Sequence, residues 1–203
     1  MWPRGFMANA QTHCLQLPHT YAFAHCANGG KADDLDLPAF ADTLIPDAAQ
    51  PVAEAWKMLE DGADGVRTEA ATNLRELATR ELPVGPNGGL LFGAPHRFLI
   101  DLSLNLELRN ALEQFRDAVR KGRPHRTALR HALTKLLPYQ KRIGFADCGG
   151  GPIASLFTEP LRNLQDPGIN RVLADYRDWR RPEIRNGIFL RLLDAVCAYA
   201  ERE

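Results

Sequence analysis

The chain has no C-x-x-C pair and no long apolar run, and aromatic residues make up only 8% of its 203 positions. Without C-x-x-C, the common thiolate zinc and redox frameworks are excluded. No stretch approaches the roughly 18–20 apolar residues of a membrane-spanning helix. Few aromatics means few platforms for stacking single-stranded bases. Four cysteines, Cys14, Cys26, Cys148 and Cys197, lie far apart, so a disulfide scaffold is excluded as well. The opening Met-Trp-Pro-Arg-Gly-Phe-Met lacks the apolar core of a secretory leader, and Met7 is an alternative start. Reduced thiols in the cytoplasm are therefore expected.

What is present is ordinary for a globular chain: 45% hydrophobic and 25% charged residues. The length suits one domain, or two at most. No metal ion or organic cofactor is called for by any motif. The net charge is zero, with 25 basic and 25 acidic residues, but it is unevenly spread. Residues 1–96 hold 6 basic and 12 acidic residues, while 97–203 hold 19 and 13. The densest block is 109–142. It carries Arg109, Arg116, Arg120, Lys121, Arg123, Arg126, Arg130, Lys135, Lys141 and Arg142 against Glu113 and Asp117. Such a block either neutralises the chain's own acidic half or meets an external polyanion. Arginine outnumbers lysine 20 to 5, which suits bidentate contacts to phosphate or carboxylate.

Periodicity predicts a mainly α protein with a minor extended part: a helical bundle-like domain over 47–203, preceded by an irregular or extended segment over 1–46. A sub-boundary is expected within 83–97. Leu15, Leu17, Tyr21 and Phe23 share one parity, which reads as strand. Val52, Ala55, Trp56 and Leu59 form a helical stripe after Pro51. A second helix is expected over 66–82 with Val66, Ala70, Leu74, Leu77 and Ala78 inward, pairing with the first as a hairpin. The glycines of 83–95 lack the pattern of a phosphate loop and read as a turn. Phe98 to Leu108 alternates with polar residues, which reads as a strand over 97–105 followed by a helix over 107–121; one continuous helix is the alternative. Helices follow over 127–137, ending at Pro138 with Leu129, Leu133, Leu136 and Leu137 inward, and around 153–157. Another opens at Asp166-Pro167, and the last covers about 183–201.

Four groups of residues carry possible chemistry. The first is the basic block, whose expected partner is a nucleic-acid backbone or an acidic protein surface, without sequence-specific readout. The second lies within it. Arg126 to His131, and Arg120 to His125, fit an R-x4-H spacing. This resembles the active-site motif of the HEPN ribonucleases, which are helical bundles, and the resemblance implies RNA cleavage by Arg126 and His131. Thr127 departs from the family's usual residue after the arginine. With this many arginines, six histidines give about 0.6 such pairs by chance. The third group is His13, Cys14, His19, His25 and Cys26, soft and borderline ligands for zinc or copper whose spacing matches no closed site. The fourth is Cys148 in Ala-Asp-Cys-Gly-Gly-Gly-Pro. Flanking glycines give access and N–H donors for thiol chemistry, while Asp147 opposes a low thiol pKa. The opening Asp-Cys-Gly is similar to a segment of some cysteine peptidases. Tyr176, Trp179, Arg180 and Arg181 have the composition of an interface hot spot.

The leading expectation is a non-enzymatic, cytoplasmic binding subunit and a component of a hetero-complex. Its basic helical face contacts the partner. An enzyme using Cys148 or Arg126 and His131, and a metal-handling protein using His13 to Cys26, are the alternatives.

Overall fold

Proline opens most of the helices, because its fixed φ suits the first turn, where its missing N–H has no partner to lose. The computed structural model describes residues 14–61, 64–92, 94–143, 152–177 and 182–202. Among these are nine α-helices and no strand. They are α1 (Leu17–Ala27), α2 (Leu37–Leu44), α3 (Ala49–Asp61), α4 (Asp64–Leu77), α5 (Pro95–Arg120), α6 (Arg126–Ile143), α7 (Pro152–Leu161), α8 (Pro167–Arg177) and α9 (Pro182–Glu201). Short 3-10 turns precede α1, α2 and α3, and another spans Gly88–Leu91. Pro38, Pro51, Pro95, Pro167 and Pro182 all fall in first turns. The expected mainly helical architecture is thus what the chain adopts.

The chain divides into two compact units, 1–106 and 107–203, with α5 contributing to each. In the first unit an aromatic series joins four helices. Tyr21 of α1 stacks on Phe40 of α2 at 4.3 Å, Phe40 lies 5.8 Å from Trp56 of α3, and Trp56 meets Phe98 of α5 edge-on at 6.3 Å. Such pairs stabilise beyond the area they bury. Asp36 caps α2 by accepting from the Ala39 N–H at 2.9 Å. The far end of α2 is closed by the glycine loop. Gly85 N–H donates to the Leu44 carbonyl at 3.0 Å, and Asn87 N–H donates to that of Thr43 at 2.8 Å. A Cβ on Gly85 would fall on the Thr43 carbonyl, so the glycine is there for close backbone approach. The turn reading of 83–95 is therefore a structural fit.

In the second unit Leu112 and Phe115 of α5 are buried together with Leu129, Leu136 and Tyr139 of α6 and Phe157 of α7. Leu192 and Val196 of α9 join them, and Phe157 meets Phe189 edge-on at 6.2 Å. The α5–α6 connection is a full Schellman cap. Arg123 N–H reaches the Ala118 carbonyl at 2.9 Å and Gly122 N–H that of Val119 at 3.1 Å, with Gly122 left-handed at φ 61. Asp166 caps α8 through Ile169 N–H at 2.9 Å, as the Asp-Pro pair predicts.

Several local expectations are overturned. Residues 17–27, read as strand by parity, are α-helix. Pro18 in the first turn starts it, and only Leu15 and Leu17 of the alternating set are buried, Phe23 being exposed. The strand expected over 97–105 is absent, because α5 runs unbroken from Pro95 to Arg120. Its alternation misleads because the helix is buried on more than one side: Asp101, Ser103 and Asn105 are as buried as Leu102 and Leu106. Pro138 does not end α6; Tyr139, fully buried, anchors the following turn. Leu137, expected inward, is 43% exposed. In α4 Leu74 is buried as expected, but Val66 is exposed, whereas Arg67 and Ala71 are buried. Arg67 can occupy the core because its Nε donates to the Met58 carbonyl at 2.8 Å, in the last turn of α3.

Gly85→Ala should lower stability by about 1–3 kcal/mol, since the clash is with backbone and cannot be relieved by a side-chain rotation. Gly89→Ala, where a Cβ meets nothing within 4 Å, should change it far less. Urea unfolding of the two variants checks this.

Candidate functional site

The basic block occupies the second half of α5, the Schellman turn and α6. Arg120, Lys121, Arg123, Arg130, Lys141 and Arg142 are exposed; Arg109, Arg116, Arg126 and Lys135 are half-buried. Among them, Lys121 is 2.7 Å from Asp117 and Lys135 is 3.1 Å from Glu107. Arg120, Arg123 and Lys141 form no ion pair with a described residue. The hydrogen bond and charge of Lys121 hold the Asp117 carboxyl below its ordinary range, and Arg120 and Arg116 add to the effect.

Arg126 and Arg130 have a different task. They lie in the first turns of α6, where their charge opposes that helix's own dipole. Both turn to the end of α9 instead. Arg130 Nε donates to the Ala200 carbonyl at 2.7 Å, and Arg126 Nη1 donates to that of Arg202 at 2.6 Å. These carbonyls belong to the last turn of α9 and its cap, which the helix itself cannot satisfy. Around them, Arg126 and Arg202 place their guanidinium carbons 5.2 and 5.7 Å from the centre of the Tyr199 ring. The Tyr199 hydroxyl shares a 2.8 Å hydrogen bond with His125 Nε2. Arg202 also pairs with the buried Asp166 carboxylate at 3.0 Å.

This arrangement bears on the R-x4-H pairs. Arg126 and His131 stand five residues apart on α6, about 140° around its axis, so they are not on one face. Arg126 is engaged with Arg202 and Tyr199, and His131 is exposed. His125 faces Tyr199. Arg120 ends α5, while His125 precedes α6 across the turn.

Of the proposed metal ligands, His13 lies outside the described residues. Cys14 sits in the 3-10 turn before α1, and His25 and Cys26 sit in its last turn. Among the described residues no three His, Cys, Asp or Glu side chains are grouped to hold a metal. The Cys14 thiol donates to the Leu90 carbonyl at 3.5 Å. Burial pushes its pKa up, Asp101 adds to this and Arg97 opposes it. Burial likewise raises Cys197, helped by Glu201 and Asp194. The Tyr21 and His25 rings lie 6.1 Å apart, and a Cβ on Gly30 would fall on the His25 ring, so that histidine is packed in place. Cys148, Trp179, Arg180 and Arg181 fall outside the described residues, as does the Tyr176 side chain.

Sequence reasoning missed Arg67 and Tyr199, and the helix-closing role of His96. Arg67 and His96 both donate to helix ends, His96 Nδ1 reaching the Ala78 carbonyl just past α4 at 3.0 Å. No periodic signal marks such residues, because their partners are backbone atoms of another helix. No protein-family model, curated protein or solved structure matches the chain.

Arg130→Met should lower stability by about 1 kcal/mol and speed amide exchange in the last turn of α9, because a carbonyl there loses its donor. Peptide-resolved exchange and thermal unfolding read both effects. At pH 7.5 an alkylating reagent should modify exposed Cys26 well before Cys14, whose thiolate is scarcer and less accessible. The gap should narrow as pH rises, which mass mapping of the alkylated peptides would show.

Proposed function

We propose that the chain is a non-enzymatic binding subunit whose basic helical face takes a polyanion: the backbone of a nucleic acid, or an acidic protein surface within a hetero-complex. The observation that carries this reading is the fate of the arginine donors. At the α5–α6 corner Arg120 and Arg123 are exposed without an ion pair to a described residue, and Arg126 and Arg130 bond carbonyl oxygens. A carbonyl satisfies a donor but cancels no formal charge. The corner therefore stays positive while being held rigidly by the Schellman turn and by α9. Exposed guanidinium groups such as those of Arg120 and Arg123 suit phosphate oxygens, which they contact in pairs.

The described surroundings offer no aromatic stacking platform: Phe115 and Tyr139 are fully buried. Contacts would fall on the backbone of the partner, giving strong salt dependence and little sequence preference. Among the described residues no helix is long and apolar enough to cross a membrane. Cys14, Cys26 and Cys197 are free thiols, which suits a reducing compartment such as the cytoplasm.

The test uses a labelled 20-base-pair DNA duplex, an RNA of equal length and poly-glutamate, each titrated by fluorescence anisotropy over a salt series. Arg120→Ala with Arg123→Ala should leave unfolding within about 0.5 kcal/mol of the parent. It should weaken nucleic-acid binding and reduce the log–log salt slope by about 2. Poly-glutamate binding with the same loss, in the absence of nucleic-acid binding, assigns an acidic protein partner. A parent protein that binds none of the three, or a salt slope that the double variant leaves unchanged, refutes the reading.

A further inference from the structure

A cavity of about 290 Å³ lies in the first unit, beside the start of α5. Leu91, Phe92, Ala94 and Phe98 give it an apolar wall, and Arg97 and Asp101 bring charge to it. Its size is at the lower end of small-molecule sites, which combine apolar walls with a few polar groups. The Arg97 side chain is 62% exposed, and its Nε lies 3.7 Å from the Asp101 carboxylate, which is 1% exposed. That separation is an ion pair beyond hydrogen-bond range. The guanidinium makes no hydrogen bond to any described residue, although it has five donors to offer. Asp101 sits one turn further along α5, and its closest approach to Arg97 is to Nε. The same rim holds the opening turn of α5, where the N–H groups of His96 and Arg97 have no intrahelical acceptor and the helix dipole favours an anion.

A second observation, independent of charge, marks the same place. Phe92 is left-handed, at φ 52, and its side chain is 87% exposed. An aromatic residue in this conformation is strained, and an exposed ring gains little burial to offset the strain. Its N–H closes the 3-10 turn on the Gly89 carbonyl at 3.0 Å, so the turn holds the ring at the cavity against its own preference. Strain of this kind collects where a ligand is clamped.

We propose that this cavity binds a small monocarboxylate with an apolar body, its carboxylate on the terminal nitrogens of Arg97 and its body against Leu91, Phe92 and Phe98. The charge pattern selects an acid over its neutral analogue, and the apolar wall selects a hydrocarbon or aryl body over a hydrophilic one.

Hexanoate and 3-phenylpropionate are the probes, with hexanamide and 3-phenylpropanamide as neutral counterparts, titrated into the full chain and followed by thermal shift and by two-dimensional amide NMR. The acids should bind saturably and raise the unfolding temperature, and the amides should bind at least ~tenfold more weakly. Arg97→Gln, at an exposed site, should fold normally and lose the preference for acid over amide; Arg97→Lys should retain part of it. Phe92→Gly should unfold no more readily than the parent, since glycine accepts the left-handed backbone, yet bind the acids less tightly. Because Cys14 also lines the cavity, bound acid should slow its alkylation while leaving Cys26 unaffected. Equal binding of acids and amides, undiminished acid binding by Arg97→Gln, or no saturable response to either acid would overturn the assignment.

Discussion

Every helix ends with carbonyl oxygens that it cannot satisfy itself, and at the ends of α2, α3, α4, α5 and α9 a donor from a loop, a turn or another helix meets one of them. The end of α2 is met by N–H groups of the glycine loop, at Gly85 and Asn87. Arg67 closes α3, His96 the segment just beyond α4, and the Schellman turn α5. Arg126 and Arg130 close α9. Unmet, each carbonyl would carry a desolvation cost of order 1–3 kcal/mol if buried. Met, it fixes the position of a neighbour. This makes helix ends, more than helix faces, the points at which local register is set.

The constraint explains why arginine is used where lysine would carry the same charge. Arg67 is 1% exposed, a burial that an isolated cation could not tolerate. A guanidinium spreads its charge over a planar fork. It can point one nitrogen at a carbonyl while its hydrocarbon stem is buried, as Ala71 and Leu74 on the same helix face also are. The arginine excess thus has two physical sources: closure of helix ends, at Arg67, Arg126 and Arg130, and surface charge, at Arg120 and Arg123.

How far the fold was legible follows from the same distinction. Helix starts were readable, because Pro51, Asp166-Pro167 and the stripe Ile188, Leu192, Val196 announce themselves within one segment. Stripes were readable where one face is buried, as with Leu129, Leu133 and Leu136. They failed on α5, where Asp101, Ser103 and Asn105 are buried beside the leucines and erase any polar side. They failed on α4 because hydropathy places Val66 inside and Arg67 outside, whereas bonding that includes the Met58 carbonyl lets Arg67 be buried. Pro138 misled for a related reason: its effect on α6 is local, and the burial of Tyr139 outweighs it. Of the candidate site, the density of cations in 109–142 could be read, but its division into exposed and helix-closing arginines could not. The partners that decide it, Ala200 and Arg202, are about seventy residues away in the chain.

That division does not weaken the positive character of the surface. Had Arg126 and Arg130 been matched to carboxylates, two charges would have been cancelled and the corner would be near neutral. Bonded to carbonyls, they meet, among the described residues, the partial charge of a helix end, equivalent to about half an electron for the whole terminus. Most of their field survives, and Asp117, held below its ordinary pKa by Lys121, Arg120 and Arg116, lies within it. Structural and surface arginines consequently act in the same direction. Those that fasten α9 also bond its end to the start of α6, and those on the turn are exposed beside them.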